Sequence, residues 1–247
     1  MLGLGSSLVK GGKVGRAYVK DGLKLYMPYR GSDAAETQFV GTGSTSFDGD
    51  NDYIDCGDDT SLDITGAITV MCWVKPMEID ALSTLVGRND GTNSNYYLDV
   101  NTDEKFYWNC RGLTDTNVNS TTTFSAGTWY HVAGVYDGAN LILYVNGVAE
   151  DTDAATGSID NDDVSLSIGA REGGLDRFFK GNIKNVAIWN RALTATEVQN
   201  VMYKTYDEVG GRLASGLVSW WALDVDYSDS TGTNDGTNSG STLNTDL

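Results

Sequence analysis

The sequence predicts an all-β protein, built as an antiparallel sandwich of two sheets with one short surface helix. Short apolar runs are separated by clusters of Gly, Asn, Asp, Ser and Thr, and the 247 residues include 30 Gly but only 2 Pro. Such clusters are typical of turns between many short strands. No helical pattern lies between the runs to make parallel crossovers, so neighbouring strands are expected to be antiparallel.

Alternation and apolar content predict the strands in order along the chain. They fall near residues 23–28, 44–48, 52–56, 66–75, 82–88, 94–100, 104–110, 128–137, 140–150, 163–169, 177–190 and 216–223. The clearest hairpin is YDGANLILYVNG, in which residues 137–140 form one turn and Asn146-Gly147 forms the next. The helix is predicted after Thr194, because its hydroxyl and the Glu197 carboxylate have the spacing of a capping box.

The length predicts one main domain with extensions, since a chain of this size can bury one large core. We expect a basic N-terminal arm over residues 1–21, the sandwich over 22–207, and a C-terminal extension over 208–247. Within that extension, residues 216–223 are expected to pack on the sandwich as a strand. Cys56, Cys72 and Cys110 are expected to be buried free thiols, as in a chain folded in a reducing compartment.

The charge is acidic overall and basic at the start. The net charge of −17 makes nucleic acid a poor partner, while the first 30 residues hold six cations and one acidic residue. The arm is interpreted either as a solvated terminus or as an anchor to an acidic partner surface. Its expected contact residues are Leu2, Leu4, Lys10, Lys13, Arg16 and Lys20. Neither a signal peptide nor an apolar run of membrane-spanning length is found, so no membrane partner is expected.

Five strings in order resemble the concanavalin A-like, laminin G-like jelly-roll family over about residues 39–204. They are SFDGDNDYIDCGD, ITVMCWVKP, GTWYHVAGVYDGANLILYVNGV, LSIGAREGG and FFKGNIKNVAIWNRALTATEVQNV. The resemblance implies a jelly-roll sandwich. It also implies an opening strand like GLVSWWALD followed by D-S-x-G-x-N-D-G-T, which in this chain lies at residues 216–237, the opposite end.

Residues 22–49 begin in a similar way, so the opening strand occurs twice. The second copy is expected to fold back onto its own sandwich, to dock on a neighbouring subunit of a homo-oligomer, or to be a truncated repeat. The first of these is favoured, because an unpaired Trp-rich strand would expose apolar surface and a free edge.

Catalysis is not expected. Relatives of this fold that hydrolyse β-glucans carry E-x-D-x-x-E, with two carboxylates in the reaction. The corresponding string here is Glu78-Ile79-Asp80-Ala81-Leu82-Ser83, with serine in place of the second catalytic carboxylate. The one histidine, His131, lies in the W-Y-H-V string and is interpreted as a structural strand residue.

The resemblance implies two candidate binding sites. Tyr96, Tyr97, Tyr107 and Trp108 are candidates for a sugar platform, although alternation places Tyr107 on the face opposite Phe106 and Trp108. Asp48, Asp50, Asp52 and Asp55 are candidate ligands for a structural calcium ion, with an ordinary solvated turn as the alternative.

The sequence therefore leaves two functional hypotheses. The first is a non-catalytic accessory virion protein of a bacteriophage, such as a capsid decoration protein, made in the host cytoplasm and attached to capsid proteins through the basic arm. The alternative is a lectin-like module or adhesin that binds a surface glycan.

Overall fold

The computed structural model describes residues 43–77 and 81–244. Several predicted features lie outside these ranges. They are the strand at residues 23–28, Glu78 and Asp80 of the E-x-D string, and the basic arm with Leu2, Leu4, Lys10, Lys13, Arg16 and Lys20. The domain boundaries at residues 21/22 and 207/208 stay predictions.

Strands dominate the described part of the chain. They are β1 (Ser44–Asp48), β2 (Tyr53–Asp55), β3 (Ile68–Pro76), β4 (Ser83–Asn89), β5 (Ser94–Val100), β6 (Phe106–Cys110), β7 (Asn117–Asn119), β8 (Tyr130–Tyr136), β9 (Asn140–Val145), β10 (Val148–Ala154), β11 (Leu166–Ile168), β12 (Lys180–Trp189), β13 (Leu217–Trp221), β14 (Thr237–Ser239) and β15 (Thr242–Asn244). One α-helix is found in these ranges, α1 (Ala195–Val201), with 3-10 turns at Thr60–Leu62, Glu172–Gly174 and Tyr206–Glu208. No helix in the described residues has the length and apolarity that a membrane span requires.

The described strands form two antiparallel sheets, which confirms the predicted sandwich. Sheet A has the order β10-β9-β8-β3-β12-β1-β15, with β13 also paired to β12. Sheet B has the order β14-β2-β11-β4-β5-β6-β7. Large apolar side chains from both sheets, including Trp108 and Trp221, fill the space between them. A second cluster covers the outer face of sheet A beneath α1, where Trp189, Val198 and Trp220 are fully buried.

Local sequence signals account for several of these elements. Asn146 and Gly147 have φ values of 50° and 76° and turn β9 into β10, as the sequence predicts. Thr194 caps α1, and its hydroxyl and the Glu197 carboxylate form the predicted capping box. The three cysteines are free and buried, also as predicted.

The strand β13 pairs with β12 of the same chain. One flank of β12 pairs with β3 along its length, so β1 and β13 share the other flank. There β1 occupies the part of β12 from Lys180 to Ile183, and β13 occupies the part from Val186 to Trp189. Together β1 and β13 form a single composite edge on β12.

The junction of this composite edge is tightly packed. The Thr45 hydroxyl donates to the carbonyl of Leu223 at 3.2 Å. A side chain at Gly43 would begin only 2.6 Å from the carbonyl oxygen of Asp224, so only glycine fits there. Residues that are about 180 positions apart in sequence therefore lie side by side.

The D-S-x-G-x-N-D-G-T segment forms a closed loop around the buried carboxylate of Asp229. This carboxylate accepts hydrogen bonds from the backbone amides of Trp220, Thr231 and Asn234 at 2.9 to 3.1 Å. The carbonyl of Asn234 in turn accepts a 2.7 Å bond from Nε1 of Trp221. The motif thus fixes the chain that follows β13. Further along, β14 pairs with β2 and β15 pairs with β1.

Candidate functional site

A cavity of about 340 Å³ lies on the outer face of sheet B and is called the groove below. Its described lining residues are Leu82, Tyr97, Asp99, Asn101, Tyr107, Asn109, Asn117 and Arg177. Most of them come from the neighbouring strands β5, β6 and β7, and Arg177 comes from the loop before β12. The groove therefore combines two aromatic rings with amide, carboxylate and guanidinium groups.

Strand register places the groove residues in two rows across the sheet. The first row is Gly87, Tyr97, Asn109 and Asn117, which are direct partners on β4, β5, β6 and β7. The second row is Thr84, Asp99, Tyr107 and Asn119 on the same four strands. Neighbouring strands in a sheet are about 4.8 Å apart, so the side chains of each row follow one another across the sheet at about that spacing.

Strand alternation decides which aromatic residues reach the groove. Tyr97 and Tyr107 are on the outer face, whereas Tyr96 and Trp108 point into the sandwich and are 0% exposed. The hydroxyl of Tyr96 donates to the Leu62 carbonyl, and Nε1 of Trp108 donates to the Val135 carbonyl. The prediction that Tyr96 and Trp108 belong to a sugar platform is therefore wrong, since neither ring is accessible.

Tyr97 lies on the outer face of sheet B and is only 6% exposed. Its neighbour on β4 is Gly87, where an added Cβ would be 2.4 Å from the Cβ of Tyr97. On the other side, the Arg177 guanidinium carbon is 6.0 Å from the centre of the Tyr97 ring. Gly87 and Arg177 thus fix the position of Tyr97 at the floor of the groove.

Asp99 and Arg177 form an ion pair at the base of the groove. Nη1 of Arg177 donates to Oδ2 of Asp99 at 2.8 Å, and Asp99 is 1% exposed. Burial raises the pKa of Asp99 to about 6, although Arg177 acts in the opposite direction. Thr84, the cross-strand partner of Asp99 on β4, also acts to lower the pKa through its side chain, and Oδ1 of Asp99 is itself buried. Asp99 is therefore a buried carboxylate that holds Arg177 at the base of the groove.

Tyr107 stands half-buried on the second row, beside a set of side-chain amides. Its hydroxyl accepts a hydrogen bond from Nδ2 of Asn101 at 2.6 Å, which limits rotation of the ring. Asn109 is half-buried and Asn117 is exposed, and both line the groove. Amides can donate and accept, so these groups suit hydroxyl-rich ligands.

Two further cavities in the described residues contain no aromatic ring. One, of about 380 Å³, is lined by Asp55, Cys56, Gly57, Asp58, Asp59, Thr233, Asn234, Asp235 and Thr237. The other, of about 310 Å³, is lined by Gly91, Thr92, Ser94, Arg111, Asp160 and Asp162. Neither offers the apolar surface that most small-molecule sites use.

The predicted calcium ligands are spread over two turns. Asp48 Oδ1 accepts from the amide of Asp50, and Asp52 Oδ2 accepts from the amide of Asp48. Asp55 Oδ1 accepts from the amide of Gly57. Within the described ranges, no group of three acidic, histidine or cysteine side chains is arranged to hold a metal ion. The geometry gives the calcium site no support, and calcium binding stays a prediction.

The groove has few of the carboxylate, serine and histidine side chains that hydrolysis would use. Asp99 is the one carboxylate among its described lining residues. Ser83 uses its hydroxyl to donate to the carbonyl of Ala81. His131 is fully buried against Met71 and Trp73, and burial lowers its pKa to about 3, so its ring is neutral.

The sequence matches a laminin G-type family model described as the concanavalin A-like lectin/glucanases superfamily, over residues 48–199. The chain belongs to this superfamily. The match covers most of both sheets, including β4 to β7 and the groove. The family predicted from the sequence strings is therefore confirmed. No curated protein matches the sequence.

Solved structures of the concanavalin A-like type share the fold. A candidate carbohydrate-binding protein from Bacteroides ovatus superposes with a TM-score of 0.68 at 23% identity, over 84% of this chain and 61% of that one. This chain thus spans less than two thirds of the length of the Bacteroides protein. A heptameric SAP-like pentraxin from Limulus polyphemus superposes with a TM-score of 0.54 at 17% identity, over 83% and 96% of the two chains. At these identities the likeness concerns the fold alone.

Sequence reasoning found two of the groove residues, Tyr97 and Tyr107, and missed the polar ones. Asp99 and Asn109 sit two positions after a tyrosine on the same face, so alternation contained a signal for both. Arg177 is 78 positions from Asp99 in sequence, and no local pattern links the two.

Proposed function

We propose that this protein is a non-catalytic carbohydrate-binding module and that the groove on sheet B holds the sugar. The observation that carries the proposal is the placement of Tyr97 and Tyr107 on one open face with the amides of Asn109 and Asn117. The rings and the amides belong to rigid neighbouring strands. Binding would therefore require little reorganisation of the protein.

The chemistry of a sugar ring fits this combination. The C–H face of a pyranose is apolar and packs on an aromatic ring, while its hydroxyls need donors and acceptors around the edge. Tyr107 provides the apolar surface. Asn109 and Asn117 provide partners for hydroxyls.

The absence of catalysis is part of the proposal. Glycoside hydrolysis ordinarily requires two carboxylates about 5 to 9.5 Å apart. The described lining of the groove contains Asp99 alone, and its pairing with Arg177 occupies one of its oxygens. The likeness in fold to the Bacteroides ovatus protein, a candidate carbohydrate-binding protein, is consistent with sugar binding.

A glycan array followed by calorimetric titration tests the proposal. The full chain should bind at least one oligosaccharide, and Tyr107→Ala should weaken that binding about tenfold, since loss of aromatic packing costs about 1.4 kcal/mol. Tyr203→Ala is the matched control, because Tyr203 is 43% exposed and is not among the groove residues. Equal weakening by both variants, or no retention of any glycan, would contradict the proposal.

The virion hypothesis depends on the basic arm and stays a prediction. Its supporting observation is the contrast between six cations in the first 30 residues and a net charge of −17 for the chain. Attachment to capsid proteins, virion localisation and a homo-oligomeric state are predictions of the same kind. Mass spectrometry of purified phage particles would detect the protein in a fixed copy number if the hypothesis holds, and its absence there would refute it.

A further inference from the structure

Two cations near the groove form ion pairs with carboxylates. Arg177 is held by Asp99 at 2.8 Å, at the base of the groove. Arg171, in the loop that leads to Arg177, is 3.1 Å from the carboxylate of Asp176.

A third cation, Arg111, lies close enough to the Tyr97 hydroxyl to influence it. Arg111 lines a neighbouring cavity together with Asp160 and Asp162. Arg177 and Arg171 are thus held in ion pairs, and Arg111 has two acidic residues in the lining of the neighbouring cavity. The other described side chains that line the groove, apart from the Asp99 and Arg177 pair, are amides, phenols and Leu82, all uncharged at neutral pH.

An anionic sugar would have to compete with Asp99 for Arg177. Asp99 is 1% exposed, and removing the partner of a buried charge is costly because that charge is left uncompensated. The net charge of −17 adds a repulsive field toward polyanions in dilute salt. A neutral sugar meets neither obstacle.

We infer that the groove selects uncharged glycans over uronic, sialic or sulfated ones, and that Asp99 sets this selectivity by holding the guanidinium of Arg177. The inference rests on the proposed function, since it concerns the ligand of the same groove. It makes Asp99 a specificity-determining residue: with a neutral side chain at position 99, Arg177 would be available to a carboxylated sugar.

Pairs of tetrasaccharides that differ at C6 alone test the inference. The probes are glucan and glucuronan, galactan and galacturonan, and mannan and mannuronan, each titrated into the full chain by calorimetry. The wild-type protein should bind a neutral member at least tenfold more tightly than its carboxylated partner. Asp99→Asn should reduce that ratio at least tenfold, mainly through tighter binding of the carboxylated sugar.

The control is Asp176→Asn, which changes the net charge equally and removes a partner of Arg171 instead. It should leave the ratio within about twofold of wild type, because exposed pairs contribute little. Thermal melting of both variants establishes that they are folded.

The outcomes separate the two proposals. A carboxylated sugar that binds more tightly than its neutral partner, and that Tyr107→Ala weakens, would overturn the charge selectivity and leave the groove as a sugar site. An unchanged ratio in Asp99→Asn would overturn the role of Asp99. If none of the six probes and no glycan on an array binds, both proposals fail.

Discussion

Asp99 lies in an environment that disfavours the ionised form of its carboxyl. Burial raises the pKa of this carboxyl from 3.8 to about 6, even with Arg177 beside it. Because the pKa is higher in the folded state, ionisation of Asp99 lowers the free energy of unfolding as pH rises between these two values. Buried ionisable groups with such shifts concentrate at functional sites, where stability is given up for binding chemistry.

Asp99→Asn is therefore expected to stabilise the protein at pH 7. Asparagine resembles the protonated carboxyl, so the variant should gain about 1–3 kcal/mol in the free energy of unfolding above pH 6. Near pH 4 the gain should be almost absent, because wild-type Asp99 is then largely protonated when folded. Urea denaturation at pH 7 and pH 4 measures both differences. A variant that is less stable than wild type at pH 7 would contradict this account of Asp99.

Gly87 leaves room for Tyr97 on the neighbouring strand because glycine has no side chain. An added Cβ would lie 2.4 Å from the Cβ of Tyr97, so Gly87→Ala must displace the tyrosine or the strand. We expect a loss of about 1–3 kcal/mol in stability together with weaker glycan binding. Gly66→Ala is the control, since nothing lies within 4 Å of an added Cβ there. Denaturation and titration of both variants provide the comparison, and a Gly87→Ala protein that matched the Gly66→Ala protein in both would remove the positioning role.

At the scale of elements, β13 stabilises two clusters at once. Trp221 points into the core between the sheets, and Trp220, its neighbour, packs under α1 against Trp189 at 6.2 Å between ring centres. Both are 0% exposed. Strand alternation predicted that both faces of this strand would be covered, and the loop around Asp229 holds the strand in place.

Trp221→Ala is expected to cost about 3–5 kcal/mol in the free energy of unfolding, the usual cost of emptying a large core site. The loss includes the 2.7 Å bond from Nε1 of Trp221 to the carbonyl of Asn234. Val225→Ala, four residues on and 71% exposed, is the control and should change stability by less than about 0.5 kcal/mol. Urea denaturation measures the free energy of unfolding of both variants. A loss of less than about 1 kcal/mol in Trp221→Ala would show that β13 is not part of the stable fold.

The strands differ in how well the sequence predicts them. Long alternating or apolar runs such as β3, β8 and β12 are predicted closely, because periodicity needs several residues to be visible. The strands β7, β14 and β15 were not predicted, since each has three residues, mostly Asn, Thr and Ser, and shows no apolar alternation. The groove follows the same rule: alternation placed Tyr107 correctly, but it could not choose between Tyr96 and Tyr97 or bring in Arg177 from a distant loop.

At the scale of the whole molecule, the position of a strand in a sheet is not set by its position in the sequence. The resemblance places the opening strand at the start of the family's sequence, yet here that strand pairs with β12 from residues 217–221. Asn244 lies opposite Ser44 in the pairing of β15 with β1. A short linker could therefore join residue 244 to residue 43 and restore the family's order.

A permuted chain tests this description. Residues 216–244, a short Gly/Ser linker and residues 43–215 in that order should fold, with a melting temperature within a few degrees of a 43–244 control. Closing a short loop between adjacent strand ends costs little free energy, and every pairing is kept. A permuted chain that stays unfolded while the control folds would show that the composite edge of β1 and β13 does not tolerate the new connection.

The central claim is that a glycan covers the outer face of sheet B. Backbone amide NMR spectra of the labelled full chain, recorded while a neutral oligosaccharide is added to saturation, test it most directly. The largest shift changes should fall on residues 97–101, 107–109 and 117, and on Arg177, with little change at α1 or β13. Shift changes centred on α1, on the cavity around Asp55 and Asp235, or on the cavity around Arg111 and Asp162, with the groove unaffected, would contradict the claim.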